Sequence, residues 1–132
     1  MAEDKKILLI EDEAFILDMY KIIFTKEGFI VEAASDGEEG LAKAEGGNYD
    51  LVLLDIMLPK MNGLDVLREM RKEGSKAKKT PVFLLTNLGQ ENIIKQAFKI
   101  GAQGYFMKAN LLPQQIVSEV RDFFKEKEKG LR

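Results

Sequence analysis

Five short apolar runs, Ile7–Ile10, Phe29–Val31, Leu51–Leu54, Val82–Leu85 and Tyr105–Met107, recur along the chain. Runs such as Leu51-Val52-Leu53-Leu54 carry no polar alternation. A strand with one wet face alternates; a strand covered on both faces, as in a parallel sheet, does not. The segments between the runs have a different period. Phe15–Glu27, Glu38–Glu45, Leu64–Lys72 and Glu91–Ile100 place apolar residues three and four apart, and Ile116, Val117, Val120, Phe123 and Phe124 form one more such stripe. Strand and helix thus alternate five times, which predicts an α/β, doubly wound fold. Gly28, Gly46-Gly47, Asn62-Gly63, Gly74 and Gly101 fall between the periodic segments, and Pro113 stands where a last helix should begin.

At 132 residues and 45% hydrophobic content the chain suits one domain with a real core. The helical pattern runs to Glu128, so residues 1–128 are expected to be the domain and 129–132 a tail or the start of a linker. There is no Cys and no His. Disulfides, thiolate catalysis, a histidine triad and Cys- or His-ligated metals are therefore excluded, and site chemistry must rest on carboxylates, Lys, Tyr and hydroxyls. No apolar run approaches the roughly 18 residues of a membrane span, and no secretory leader opens the sequence, so a soluble cytoplasmic protein without membrane association is expected. The net charge of −2 argues against direct nucleic-acid binding, but it is unevenly spread. Residues 1–60 hold 14 Asp/Glu against 6 Lys/Arg and residues 61–132 hold 8 against 14. The basic stretch Lys72, Lys76, Lys78, Lys79 lacks interleaved aromatics and reads as a solvated loop.

In open parallel sheets, ligands bind at the carboxyl ends of the strands. The residues following the runs there are Glu11, Asp12 and Glu13, then Asp55, then Thr86 and Asn87, then Lys108. Singly, each has an ordinary reading: Asp12 as a helix N-cap, Thr86 as a β-branched strand residue, Lys108 as a surface lysine. Together they bring several carboxylates, a hydroxyl and a lysine to one edge. Two carboxylates ~4 Å apart at an effective dielectric near 20 repel by about 4 kcal/mol, less where water and salt screen them. Lys108 can offset part of this and a divalent cation the rest. With oxygen ligands alone, a hard ion such as Mg²⁺ is selected.

The segments Ile7–Glu13, Ala34-Ser35-Asp36-Gly37-Glu38-Glu39, Asp50–Gly63, Thr86 and Gly101–Lys108 resemble response-regulator receiver domains of two-component signalling, along nearly the whole chain. The third segment is the most specific: an aspartate ends an apolar strand, and Pro59, Met61 and Gly63 follow at fixed spacing. The resemblance implies a flavodoxin-like, five-stranded parallel sheet in the order 2-1-3-4-5 with five helices. It implies Asp55 as the nucleophile that forms an acyl phosphate, and Mg²⁺ held by Asp12, Asp55 and the Met57 carbonyl, with Glu11 acting directly or through water. Lys108 is implied to pair with a phosphoryl oxygen, and Thr86 and Tyr105 to act as switch residues. Because the chain has no His, the phosphoryl group is expected from a sensor histidine kinase, a phosphotransfer protein or a small phosphodonor.

Two positions depart from the family pattern. Ala109 follows Lys108 where the family commonly has Pro, so a trans bond is expected. Asn87 follows Thr86 where a smaller residue is usual. Other classes fit less well. Dehalogenase-like phosphatases need a second acid two positions beyond the nucleophile, where this chain has Met57. A flavodoxin-like flavin carrier needs a phosphate cradle where Glu11-Asp12-Glu13 would repel phosphate. A degenerate receiver acting as a phosphorylation-independent interaction module would lack one of the acidic, nucleophile or lysine positions. The expected role is a phosphoacceptor signalling domain rather than an enzyme acting on other substrates, with an undetermined downstream protein or a phosphorylation-dependent homodimer as its output.

Overall fold

The structure is a computed structural model that describes residues 4–87 and 89–130. Its elements run β1 (Lys6–Ile10), α1 (Ala14–Lys26), β2 (Ile30–Ala34), α2 (Gly37–Gly46), β3 (Leu51–Asp55), α3 (Gly63–Met70), β4 (Val82–Thr86), α4 (Glu91–Ile100), β5 (Gly104–Met107) and α5 (Pro113–Glu128). All strand pairs are parallel, in the order β2-β1-β3-β4-β5. This is the doubly wound sheet that the unbroken apolar runs predict.

Every residue of β3 and of β4 is buried because both faces of the sheet are covered. Since successive side chains point to opposite faces, the strands feed two separate apolar layers. Leu8, Ile10, Val52, Leu54, Val82 and Leu84 pack with Val66, Leu67 and Met70 of α3 and with Ile94 and Ala97 of α4. Ile7, Leu9, Leu51, Leu53, Phe83 and Leu85 pack with Tyr20 and Phe24 of α1 and with the α5 stripe Ile116, Val117, Val120, Phe123 and Phe124. Phe83 anchors the second layer, stacked on Phe106 at 5.2 Å and edge-on to Phe123 at 5.0 Å.

Three local readings change. The apolar run Phe29–Val31 belongs to a strand that starts at Ile30 and continues through Glu32, Ala33 and Ala34. β2 is an edge strand with an exposed side, so its second half needs no apolar run. The N-cap of α1 is Glu13, not Asp12, and its side chain makes no cap bond. Asp12 is thus released from the structural role that its sequence position suggested. The basic loop after α3 is partly paired rather than simply solvated, with Lys72 on Glu69 at 2.5 Å and Lys78 on Glu73. Pro113 does open the last helix, where Gln115 Oε1 accepts from the Leu112 N–H at 2.7 Å. No helix among the described residues is long and apolar enough to cross a membrane.

Candidate functional site

Parallel strands of similar length end level with one another. The register Ile10↔Leu54, Asp55↔Leu85 and Thr86↔Met107 therefore brings Glu11, Asp55, Thr86 and Lys108 to one edge of the sheet. Asp55 is only 4% exposed, and Glu11 and Thr86 are fully buried. The Lys108 ammonium, on a side chain 14% exposed, donates to Glu11 Oε1 at 2.6 Å and to Asp55 Oδ2 at 3.0 Å. Asp55 Oδ1 accepts from the Met57 N–H at 3.1 Å, and Glu11 Oε2 accepts from the Glu13 N–H at 3.1 Å. Asp12 is exposed and has no hydrogen-bond or ion-pair partner among the described residues. Glu11, Asp12 and Asp55 each present a carboxylate oxygen within 4.8 Å of the others.

Burial separates the charge states of these groups. Burial pushes the Asp55 carboxyl up to about 6; Lys108 pulls it down, while the charge on Glu11 pushes it further up. Burial acts on Glu11 in the same sense, but the hydrogen bonds from Lys108 and the Glu13 N–H outweigh it and leave that carboxyl below its ordinary value. Burial also disfavours the Lys108 ammonium, yet its contacts with Glu11 and Asp55 raise its pKa. Glu11 and Lys108 thus form a firm ion pair, and Asp55 is the carboxyl left short of compensation.

The loop after Asp55 is held by two close approaches that admit only glycine. A Cβ on Gly63 would lie 2.5 Å from the Asp55 carbonyl oxygen, and one on Gly37 would lie 1.7 Å from that of Met61. The Gly63 N–H donates to the Ile56 carbonyl and the Gly37 N–H to that of Pro59. Lys60 sits at φ +66 with its ammonium 3.6 Å from Asp36. These contacts strap the Asp55 loop to the start of α2. Asp36, Gly37 and Lys60 are contributors that sequence reasoning did not single out for the site; the Asp36-Gly37 pair within a matching segment was the available signal.

The Met57 side chain, two residues beyond Asp55, is exposed. The Thr86 hydroxyl donates to the Phe106 carbonyl at a long 3.4 Å, and the Lys108 N–H donates to the Thr86 carbonyl at 2.9 Å. Tyr105 is 45% exposed and edge-on to Phe98 of α4 at 6.2 Å. The structure has no cis peptide among the described residues, so the Lys108–Ala109 bond is trans. Leu88, a position the family pattern associates with phosphate lifetime, lies outside the described residues.

The donor set, three clustered carboxylate oxygens with no nitrogen or sulfur ligand, fits a hard divalent cation such as Mg²⁺. The Response regulator receiver domain model matches residues 7–121. The chain is 35% identical over 118 residues to the transcriptional regulatory protein ResD of Bacillus subtilis, covering 89% of this chain and 47% of that protein. It is 34% identical over 116 residues to SrrA of Staphylococcus aureus, covering 88% of this chain and 46% of that one. It thus spans about half the length of these relatives. Among solved structures, a CheY-like receiver domain protein from Methanospirillum hungatei superposes with a TM-score of 0.85 at 32% identity, covering 96% of this chain and 98% of that one. The Francisella response regulator 1452 receiver domain superposes with a TM-score of 0.83 at 27% identity, covering 94% and 99%. With the strand order, the acidic pocket and the lysine beside it already in place, these likenesses establish that the chain belongs to the response regulator receiver domain family of two-component signalling.

Proposed function

We propose that this domain, residues 1–128, takes a phosphoryl group onto Asp55 from a phosphohistidine on a sensor kinase or phosphotransfer protein, and that the modification switches a protein-interaction surface. The observation that carries this reading is the Asp55 carboxylate, buried at the strand end between Lys108 and Glu11 yet beside the open, unpartnered Asp12. Asp55 Oδ1 and Oδ2 are the nucleophile's two oxygens. One attacks phosphorus as the bond from phosphorus to the donor nitrogen breaks, and the bonding pair leaves with the donor imidazole.

Asp12, Asp55 and the Met57 carbonyl would hold Mg²⁺, with Glu11 behind them. Bound there, the ion neutralises charge on the phosphoryl oxygens. Lys108 is already aimed at Asp55 and stabilises the same developing charge. Thr86 must leave the Phe106 carbonyl to reach a phosphoryl oxygen, and a 3.4 Å hydrogen bond is inexpensive to break. Phe106 adjoins Tyr105, whose half-exposed ring packs edge-on to Phe98 of α4, so movement of Thr86 is linked to the α4–β5 surface. Phe15, Met57 and Leu112 are exposed apolar side chains on segments at this same end of the sheet, which suits a protein donor better than a small one.

Incubation with Mg²⁺ and a small acyl phosphate, followed by intact-mass measurement, tests the reading. One phosphoryl group should be gained, and Asp55→Asn should abolish the gain. A wild-type chain that gains none, with donor and Mg²⁺ in excess, would identify a degenerate, phosphorylation-independent module instead.

A further inference from the structure

Arg71, the C-cap of α3, has no part in the mechanism above. Its half-buried guanidinium makes five hydrogen bonds to four uncharged acceptors. Nε and Nη2 donate to the Gly101 carbonyl at 3.2 and 3.0 Å, and Nη1 donates to that of Ala77 at 3.1 Å. Nη2 is shared further with the Thr80 carbonyl at 2.8 Å and with Gln103 Oε1 at 3.3 Å. No carboxylate pairs with it among the described residues. A half-buried charge without a counter-ion is a costly way to end a helix. What the guanidinium offers in return is a planar fork of donors that reaches several segments at once.

Those segments meet at the amino ends of β4 and β5, the edge of the sheet opposite Asp55. Gly101 is the C-cap of α4; its φ is +127, and a Cβ there would lie 3.0 Å from Arg71 Nε. Gln103 leads into β5, and its Oε1 also accepts from the Val82 N–H at 2.7 Å while its own N–H donates to the Val82 carbonyl at 2.9 Å. One side chain thus ties the ends of α3 and α4 to the entries of β4 and β5. The other end of α4 is held more loosely. Gln90, its N-cap, makes no side-chain cap bond and accepts instead from the Asn87 N–H at 2.7 Å. Gly89 sits at φ +87 with open space where a Cβ would lie. The Thr86 hydroxyl, which precedes this loop, has only its 3.4 Å hydrogen bond to the Phe106 carbonyl.

An element fixed at one end responds at the other, and the loop at its free end absorbs the backbone change. β4 places Thr86 about 13 Å from the Arg71 corner. α4 spans about 15 Å from that corner back to the loop after Thr86. We propose that Arg71 is a positioning residue for the switch: it pins the end of α4 and the entry of β5, so that movement of Thr86 displaces the β4–α4 loop and the first turns of α4 rather than the whole α4–β5 unit. This rests on the phosphoacceptor reading of Asp55. Without the pin, the same movement spreads to the corner, and the start of α4 is displaced less.

Arg71→Met in the full chain removes the hydrogen bonds and keeps much of the apolar stem. With Mg²⁺ and a small acyl phosphate it should be phosphorylated within about twofold of the wild-type rate, because no Arg71 hydrogen bond reaches the Asp55 pocket. Backbone amide exchange is then compared with and without Mg²⁺ and beryllofluoride. In the wild type, beryllofluoride should change exchange by about 3-fold or more in residues 89–94 and leave residues 98–104 unchanged. In Arg71→Met the change should shrink in residues 89–94 and appear in residues 98–104. A merely structural role raises exchange in residues 98–104 equally with and without beryllofluoride and moves neither ratio. Arg71→Lys keeps the charge but presents its donors from a single atom, so it should behave as Arg71→Met does. A beryllofluoride-dependent change in residues 98–104 of the wild type, unmoved ratios or slower phosphorylation in Arg71→Met, or wild-type behaviour of Arg71→Lys would each overturn the role of Arg71. A wild-type chain that takes no phosphoryl group would overturn the phosphoacceptor reading itself.

Discussion

Replacing Asp55 by Asn in the metal-free protein should stabilise the fold while abolishing its function. The Asp55 carboxyl is 4% exposed and is raised from an ordinary 3.8 to about 6. A carboxyl that holds its proton more tightly when folded destabilises the native state wherever it is ionised. Below about pH 4 both states are protonated and the effect vanishes. Stability then falls as pH rises through the folded pKa. Once the group is ionised in both states, a shift of this size corresponds to about 3 kcal/mol. Asn keeps the size of the side chain but gives Lys108 a poorer acceptor than the carboxylate, which offsets about 1 kcal/mol.

A net gain of about 2 kcal/mol is therefore expected near pH 8 in the presence of a chelator, or about 6 to 10 °C in unfolding midpoint for a domain of this size. Thermal and urea unfolding of both proteins should be compared at about pH 8 and about pH 5. The raised pKa implies that about half of the penalty is already gone at the lower value. An advantage of equal size at both pH values would show that the Asp55 charge is not its source. No advantage at about pH 8 would show that the Lys108 hydrogen bond outweighs burial.

Asp12→Ala should likewise stabilise the metal-free fold, by only about 1 kcal/mol because Asp12 is exposed and screened, and so raise its unfolding midpoint, while Mg²⁺ no longer protects the variant; a lower midpoint would point to a stabilising role that the uncapped start of α1 does not show. Met57→Asn combined with Leu88→Glu should shorten the lifetime of the acyl phosphate, because neither a thioether nor an isobutyl side chain can orient an attacking water by hydrogen bonding whereas the replacements can; unchanged decay in a phosphate-release assay would remove that account. Thr86→Ala should keep Mg²⁺ binding and much of the phosphorylation yet weaken the phosphorylation-dependent gain in partner binding or dimerisation, a gain of typically 5- to 150-fold; full retention of that gain in both Thr86→Ala and Tyr105→Ala would exclude the two-residue switch. Lys60→Gly should stabilise the fold by about 1 kcal/mol in urea unfolding, since relief of a positive φ exceeds the loss of a long 3.6 Å pair in which the Lys60 side chain is exposed.

Much of this protein was legible from residue order alone because its determinants are local or periodic. Unbroken runs such as Leu51–Leu54 and Val82–Leu85 specify strands covered on both faces, and segments with apolar residues three and four positions apart specify the helical crossovers that cover them. Level strand ends then follow from topology, and so does the grouping of Glu11, Asp55, Thr86 and Lys108. Edge strand β2 was less legible, because a half-exposed strand carries Glu32 and two alanines without breaking. What the tertiary structure decided is how the shared charge is divided. Spacing shows that Glu11 and Asp55 meet Lys108, but which carboxylate keeps the lysine depends on distances of 2.6 and 3.0 Å and on the second hydrogen bond that Glu11 takes from the Glu13 N–H. The same holds for Asp12, which sequence position marks as a cap and the backbone leaves free for a cation. Hydrophobic periodicity reports which face a residue occupies. Burial, hydrogen-bond partners and the field of neighbouring charges arise only when segments distant in sequence are packed together, and these set the chemistry.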